Sequence, residues 1–239
     1  MKRVIATVMV MFIFSNTVLA HHSREYLMLT SYQTGVKGST LLGLSYDSNK
    51  GGGYTSWETT PAVLYSLSDA IMLEAHTHFR KERNFDLMWE AVTFSSQMQV
   101  TRPGSRFLDL GVCVSFETPT AKSRDELGGE NMFGLRLILS KELPFDANIC
   151  GNIDYSRVLG NGKDNVFEFI VGGKKPIISD KLECGFEMLG DFNDSPKVQS
   201  MFGLYYSPVD NVIIKTGMGP GLTENADDRL FSVQMLYGL

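Results

Sequence analysis

The residues best placed to do chemistry lie in the segment 71–82. Apolar and polar residues alternate there, so Glu74, His76, His78 and Arg80 share one face of a predicted strand. Two histidines at positions i and i+2 can bind one metal ion, and Glu74 can serve as a third ligand or a partner that orients a ring. The other interpretation is an internal ladder of salt bridges and hydrogen bonds with neighbouring strands, for which the mixed charges supply partners.

Three other motifs are weaker. The predicted mature terminus His21-His22 either chelates copper with its α-amino group or is a flexible end. The stretch 217–221 contains Gly-x-Gly but lacks the strand and helix of a phosphate-binding loop. No nucleophile-elbow motif accompanies His78. We therefore predict no enzymatic activity and no cofactor.

The elements that must position these side chains are β-strands. Between residues 108 and 117, Leu, Leu, Val, Val and Phe alternate with Asp, Gly, Cys, Ser and Glu. The same period of two recurs in most later segments, including the last one at 231–239. No convincing helical period follows the first twenty residues. The pattern predicts an all-β fold.

Alternation alone fits either a sandwich or an outer-membrane barrel, and three features favour the barrel. Segments are about ten residues long, which is the length of a tilted transmembrane strand. The chain also ends on an amphipathic strand. Short turns alternate with longer loops, as in outer-membrane barrels. The short turns carry Asp69, Asp146, Asp180 or Asp210, or lie at 101–104, and the longer loops are predicted at 47–56, 80–86, 119–131, 159–165, 190–196 and 219–228.

Counting from Thr40 predicts an antiparallel, up-and-down transmembrane β-barrel of about 12 strands at 40–239. Its even strand number places both termini in the periplasm. Residues 1–20 read as a secretory signal peptide, with Lys2 and Arg3 before an apolar run and a small residue at Ala20. Residues 21–39 remain as a periplasmic or plugging segment.

Charge and cysteine content narrow the function. The formal net charge is −5 and no basic cluster exists, which argues against a nucleic-acid partner. The three cysteines, Cys113, Cys150 and Cys184, cannot all pair within the chain. They are either small apolar residues or include a bridge between the first two.

The C-terminal half resembles a known family. From Ser140 onward the order S-K-E-L, N-I-D-Y-S-R, G-G-K-K-P-I-I-S-D-K-L, F-G-L-Y-Y-S-P-V-D-N-V and G-M-G-P-G-L-T-E-N-A-D-D-R-L is similar to the outer-membrane barrels named "MetA-pathway of phenol degradation", a transporter-like family. The resemblance covers about the last hundred residues well and W-E-T-T-P-A-V-L-Y-S-L-S-D more loosely. It implies a β-barrel in the outer membrane of a Gram-negative bacterium and no catalytic residues. The chain departs from such barrels at its end, where Leu239 stands in place of Phe or Trp.

We therefore expect a monomeric passive channel or transporter-like protein for small molecules. Its partners are outer-membrane lipid, an unknown solute and the barrel-assembly machinery, which reads the C-terminal strand. The alternative is a closed structural or binding barrel that handles a metal through luminal His76 and His78. The predicted lumen and selectivity residues are Glu74, His76, His78, Arg80, Asp109, Arg136, Asn152, Asp154, Glu183, Glu187 and Lys215.

Overall fold

A computed structural model of the chain describes residues 26–81, 86–101, 107–123, 129–144, 146–160, 165–179, 181–192 and 195–239. The predicted signal peptide, His21-His22 and the Asp180 turn lie outside these residues. Among the described residues, no helix is long and apolar enough to cross a membrane.

Twelve antiparallel strands in the described chain form one closed barrel, which confirms the predicted fold and strand number. Each strand pairs with its neighbours in sequence, and the last strand closes on the first, with Leu41 opposite Gly238 and Lys50 opposite Arg229. The strands are β1 (Thr40–Gly51), β2 (Tyr54–Ser68), β3 (Ile71–Lys81), β4 (Met88–Gln99), β5 (Asp109–Pro119), β6 (Met132–Glu142), β7 (Asn148–Val158), β8 (Asn165–Ser179), β9 (Leu182–Asp191), β10 (Val198–Val209), β11 (Val212–Pro220) and β12 (Arg229–Gly238).

The period of two separates two environments. Outward side chains such as Val63, Phe94, Val114 and Leu135 are large, apolar and exposed. Inward side chains are mostly polar, although Leu64 and three neighbours form a small apolar cluster inside β1–β3. A polar interior with an apolar exterior is the reverse of a soluble sheet.

The first hairpin differs from the prediction of a loop at 47–56. Strand β1 continues to Gly51 and β2 begins at Tyr54, so that only Gly52 and Gly53 form the turn. Their φ angles of 56° and 80° belong to the left-handed region that two-residue hairpins require. The two glycines therefore let pairing continue where a loop was expected.

Most of the segment 26–39 lies inside the barrel, and only residues 36–38 are exposed. Tyr26, Leu27, Leu29 and Tyr32 are buried in one apolar cluster with inward residues of β6, β7, β10 and β12. The segment then reaches β2, where the Gly38 amide donates to the Ser66 carbonyl at 2.7 Å, and runs into β1.

The outward face generates a first prediction. Val114 lies in the middle of β5 and is 40 % exposed, whereas Val209 is the last residue of β10 and is 52 % exposed. In a bilayer, Val114→Arg should destabilise the barrel by about 2–4 kcal/mol and Val209→Arg by about 0–1 kcal/mol. Urea titration of refolded protein in vesicles, followed by heat-modifiable gel mobility, measures both. An equal loss of stability in the two variants would contradict a lipid-facing surface.

Candidate functional site

The lumen contains a cavity of about 430 Å³. Residues 26–30 form part of its wall, and the inward side chains of β1–β8 and β12 form the rest. Of the residues predicted to act in the lumen, five line this cavity: Glu74, His76, His78, Arg136 and Asp154. The other six lie elsewhere, and the two groups have different surroundings.

The histidines of β3 form a hydrogen-bonded ladder with neighbouring side chains. His76 Nδ1 lies 2.9 Å from Glu74 Oε1, and His78 Nδ1 lies 2.5 Å from Glu58 Oε1. His78 Nε2 also lies 3.3 Å from Thr93 Oγ1. The two rings pack edge to face, with centroids 4.9 Å apart. A bond within β3 therefore holds the His76 ring, and cross-strand bonds to β2 and β4 hold the His78 ring on the cavity wall.

This arrangement bears on the metal hypothesis. Each Nδ1 lies against a different carboxylate, so one nitrogen on each ring already has a partner. Within the described ranges, no three His, Cys, Asp or Glu side chains are grouped so that they could hold a metal ion. A metal bound by His76 and His78 remains a prediction from the sequence.

Arg136 is held from two sides. Its Nε and Nη2 donate to the Oδ1 and Oδ2 of Asp154 at 2.5 and 3.0 Å, a bidentate fork. Its Nη1 donates to Thr30 Oγ1 in the N-terminal segment. At the C-terminal end of β3, Arg80 Nη1 donates to Glu90 Oε1 at 3.4 Å.

Glu187 binds the backbone of the N-terminal segment. The backbone amides of Leu27, Met28 and Leu29 each donate to its carboxylate at 2.8 Å, and Tyr205 Oη donates at 2.7 Å. The residue is 1 % exposed. A buried carboxylate is stable only when its oxygens accept such bonds, and here four donors supply them.

A lysine and a glutamine hold the same turn from the other side. Lys215 is fully buried, and its Nζ donates to the Tyr26 carbonyl at 2.6 Å and to Gln234 Oε1 at 3.3 Å. Gln234 Nε2 donates to the Leu27 carbonyl at 2.6 Å. The backbone of residues 26–29 therefore lies between an anionic and a cationic side chain of the barrel. We call Glu187, Lys215, Gln234 and Tyr205 the clamp.

The segment next crosses the bore. Asn152 on β7 pairs with Thr30, accepting from its amide at 2.7 Å and donating to its carbonyl at 2.9 Å. Gln97 on β4 donates to the carbonyls of Ser31 and Gln33 at 2.9 and 3.0 Å. The path continues to the β2–β3 turn, where the hydroxyl of residue 34 donates to the carbonyl of residue 69 at 2.7 Å. Inward side chains on opposite walls of the barrel thus bind successive residues of the segment.

Glycines on the inward face make room for this segment. A Cβ at Gly217 or Gly203 would lie 2.4 or 2.9 Å from Leu27 Cδ1, and one at Gly172 would lie 2.8 Å from Leu29 Cδ1. At these distances an added Cβ would force the leucine side chains to move, so the glycines let the segment pack closely against the wall. This close packing of the segment against the wall was not predicted from the sequence, although the glycines on β8, β10 and β11 were a readable signal.

The remaining predicted residues lie away from the cavity. Asp109 is buried on β5. Glu183 Oε2 accepts from Lys174 Nζ at 2.7 Å, and this lysine lies over the rings of Tyr26 and Tyr205. The structure thus places Asn152, Glu183, Glu187 and Lys215 behind or against the segment and not on an open bore, because residues 26–39 occupy that side of the lumen. None of the three cysteines forms a disulfide bond, so the bridge between Cys113 and Cys150 is absent.

The clamp generates a second prediction. Glu187→Gln replaces one acceptor oxygen with an NH₂ group that cannot accept from the amides, and a bond to a charged acceptor is worth about 1.5–3 kcal/mol. Hydrogen exchange at Leu27, Met28 and Leu29 should accelerate about 10-fold to 100-fold, as read by mass spectrometry in detergent. Glu142→Gln, an exposed glutamate at the end of β6, is the matched control. Unchanged exchange in the first variant would show that the clamp does not hold the segment.

No family model and no curated protein matches the sequence. Solved structures do match. The COG4313 outer membrane channel from Pseudomonas putida F1 has 14% identity and a TM-score of 0.64, over 90% of this chain and 100% of that chain. A KdgM porin has 9% identity and a TM-score of 0.59, over 82% and 98% of the two chains. A NanC porin has 11% identity and a TM-score of 0.58, over 84% and 100%. The chain therefore has the fold of outer-membrane porins and channels.

Proposed function

We propose that the protein is an outer-membrane channel through which small molecules diffuse passively. The observation that supports this most directly is a closed barrel with an apolar exterior and a polar cavity of about 430 Å³ inside. A barrel that only anchors or stiffens a membrane needs no such space. Rings of charged side chains around a bore select solutes by size and field, without any energy source.

The exterior supports the location. Large apolar side chains on successive strands are exposed over the whole circumference, for example Leu44, Leu73, Phe116, Phe202 and Met235. An apolar surface of this extent is far larger than the patches that soluble monomers expose. Contact with lipid would cover this surface, which supports a location in the outer membrane of a Gram-negative bacterium, with residues 1–20 removed on export. In this proposal the C-terminal strand β12 carries the signal for the assembly machinery. The barrel closes within one chain and so needs no second copy, which is consistent with a monomer.

Residues 26–39 form the constriction of this channel. They cross from the clamp to β2 inside the lumen and form part of the cavity wall. Any solute that passes the barrel must therefore pass beside this segment or displace it. Strand pairing closes the barrel without the segment, so the constriction can loosen while the wall stays intact.

The solved relatives support a bore that admits solutes. One is a KdgM porin in complex with disordered oligogalacturonate, with a TM-score of 0.60 to this chain. The identity of 8% gives no reason to transfer that ligand. The solute of this channel therefore has to be inferred from its own cavity.

A closed structural barrel is the second candidate, and the segment that crosses the bore favours it. Inward side chains from β4, β7, β9, β11 and β12 all bind the segment, so its removal breaks many bonds at once. In a closed barrel the cavity does not connect the two sides of the membrane. The two candidates differ in whether ions cross the refolded protein.

A disulfide lock separates the candidates. The Cβ of Tyr32 lies 3.3 Å from the position that a Cβ at Gly111 would take, close to the spacing of a disulfide. Tyr32→Cys/Gly111→Cys is built in a chain whose native cysteines are replaced by Ala, with Glu187→Gln added to loosen the clamp. Single-channel conductance is then recorded in planar bilayers before and after reduction, on protein that shows heat-modifiable mobility.

The channel proposal predicts a small conductance when the lock is oxidised and a larger one, or frequent larger steps, after reduction. Equal conductance in both states would show that residues 26–39 do not set the width of the bore. A silent bilayer in both states, from protein with the compact gel band, would establish the closed barrel. Glu142→Gln should conduct like the unmodified protein.

A further inference from the structure

The segment divides the lumen into two unequal environments. Its first residues lie against β9–β12, where Glu187 and Lys215 bind their backbone. The cavity remains on the other side, against β1–β8 and Gln234 of β12. A solute that enters the cavity therefore meets the side chains of its wall and does not contact Glu187 or Lys215, which lie outside that lining.

Acidic groups dominate this wall. Among the described residues that line the cavity, six are carboxylic acids and one is an arginine. The acids come from six strands on facing parts of the barrel, so they surround the space and do not form one patch. They are Asp47, Glu58, Glu74, Glu117, Asp154 and Glu168.

The arginine offsets only one of these six acids, its partner Asp154. Arg136 forms a fork with Asp154 and also donates to Thr30, so its donors point at groups that it already binds. Lys215 is fully buried against the Tyr26 carbonyl. Lys174 bonds to Glu183 outside the cavity lining. The strongest bases near the lumen are thus used to hold the structure.

The net charge of the cavity wall is negative whether or not the two histidines are protonated. With His76 and His78 both protonated, the described lining still carries more negative than positive groups. Both rings also lie against carboxylates of this wall, Glu74 and Glu58. The wall is therefore negative in every protonation state of the two rings.

We propose that the channel is selective for cations, and that Glu58, Glu74 and Glu117 are the residues that set this selectivity. This inference rests on the proposed channel function. A narrow space with a low-dielectric wall focuses the field of its charges, which concentrates counter-ions and excludes ions of the same sign. The solute class is small cationic molecules and metal cations, and free carboxylates and phosphates are excluded.

The first test is the reversal potential of the refolded protein in a gradient of potassium chloride. We expect a permeability ratio of K⁺ to Cl⁻ of about 10 or more, because focusing enriches counter-ions by about that factor. In Glu58→Gln/Glu74→Gln/Glu117→Gln the ratio should fall toward 1. Glu224→Gln, in an exposed loop, removes a carboxylate outside the cavity and should leave the ratio unchanged. A ratio of 1 or below in the unmodified protein would overturn the inference and leave the channel function standing.

A second test leaves the carboxylates of the cavity wall unchanged and does not depend on a measurement of conductance. Cys113 lines the cavity, and charged methanethiosulfonate reagents can react with its thiol. In Cys150→Ala/Cys184→Ala, we expect the cationic reagent to react about 10-fold faster than the anionic one, after correction for their rates with a small thiol. A silent bilayer with this rate ratio would reject the channel and keep the acidic cavity. Equal rates, or no reaction with either reagent, would overturn the proposed selectivity.

Discussion

The pairing of β12 with β1 is the constraint on which the rest of the structure depends. In an apolar environment every backbone amide and carbonyl needs a partner within the protein, and a sheet meets that need only when it has no edge. Ten residue pairs, from Leu41 with Gly238 to Lys50 with Arg229, remove the edge here. Closure fixes the inward face of all twelve strands and encloses a polar space. The site exists because the sheet is closed.

Inside that space, burial divides chemically similar residues into two roles. Glu187 and Glu74 are both inward glutamates on β-strands, yet one is enclosed by four donors and the other lines the cavity. The difference arises because the segment occupies one side of the lumen. Its backbone offers amides that a carboxylate can bind and carbonyls that Lys215 can bind. A charged residue in the lumen therefore binds the segment where the segment covers it and lines the cavity where the segment does not.

The sequence predicted the barrel well because alternation is a local property. Runs such as 108–117 show which side chains share a face, and the count of such runs gave twelve strands. The first hairpin was missed because Gly52-Gly53 was read as part of a loop and not as a two-residue turn. The number of strands was unaffected, since the pairing on both sides of that turn was already implied.

The division of the lumen could not be predicted in the same way. Nothing adjacent to Glu187 or Lys215 in the sequence shows that residues about 160 to 190 positions earlier would bind them. The readable signal was indirect: Gly172, Gly203 and Gly217 leave single inward positions on three strands without a side chain. Such a row in a polar lumen indicates that another part of the chain packs there. Long-range contacts of this kind emerge only after closure sets the neighbours of each strand.

The segment and the acidic wall also depend on each other. A segment held only by its apolar side chains would leave its backbone groups unpaired, so the barrel must supply charged and amide side chains where it sits. Of the bases among them, Lys215 lies outside the cavity lining, and Arg136 lies on the cavity wall but is bound to Thr30 and Asp154. The described wall carries six acids and this one arginine. Binding of the segment thus engages both bases, and the proposed cation selectivity rests on the acids that outnumber them on the wall.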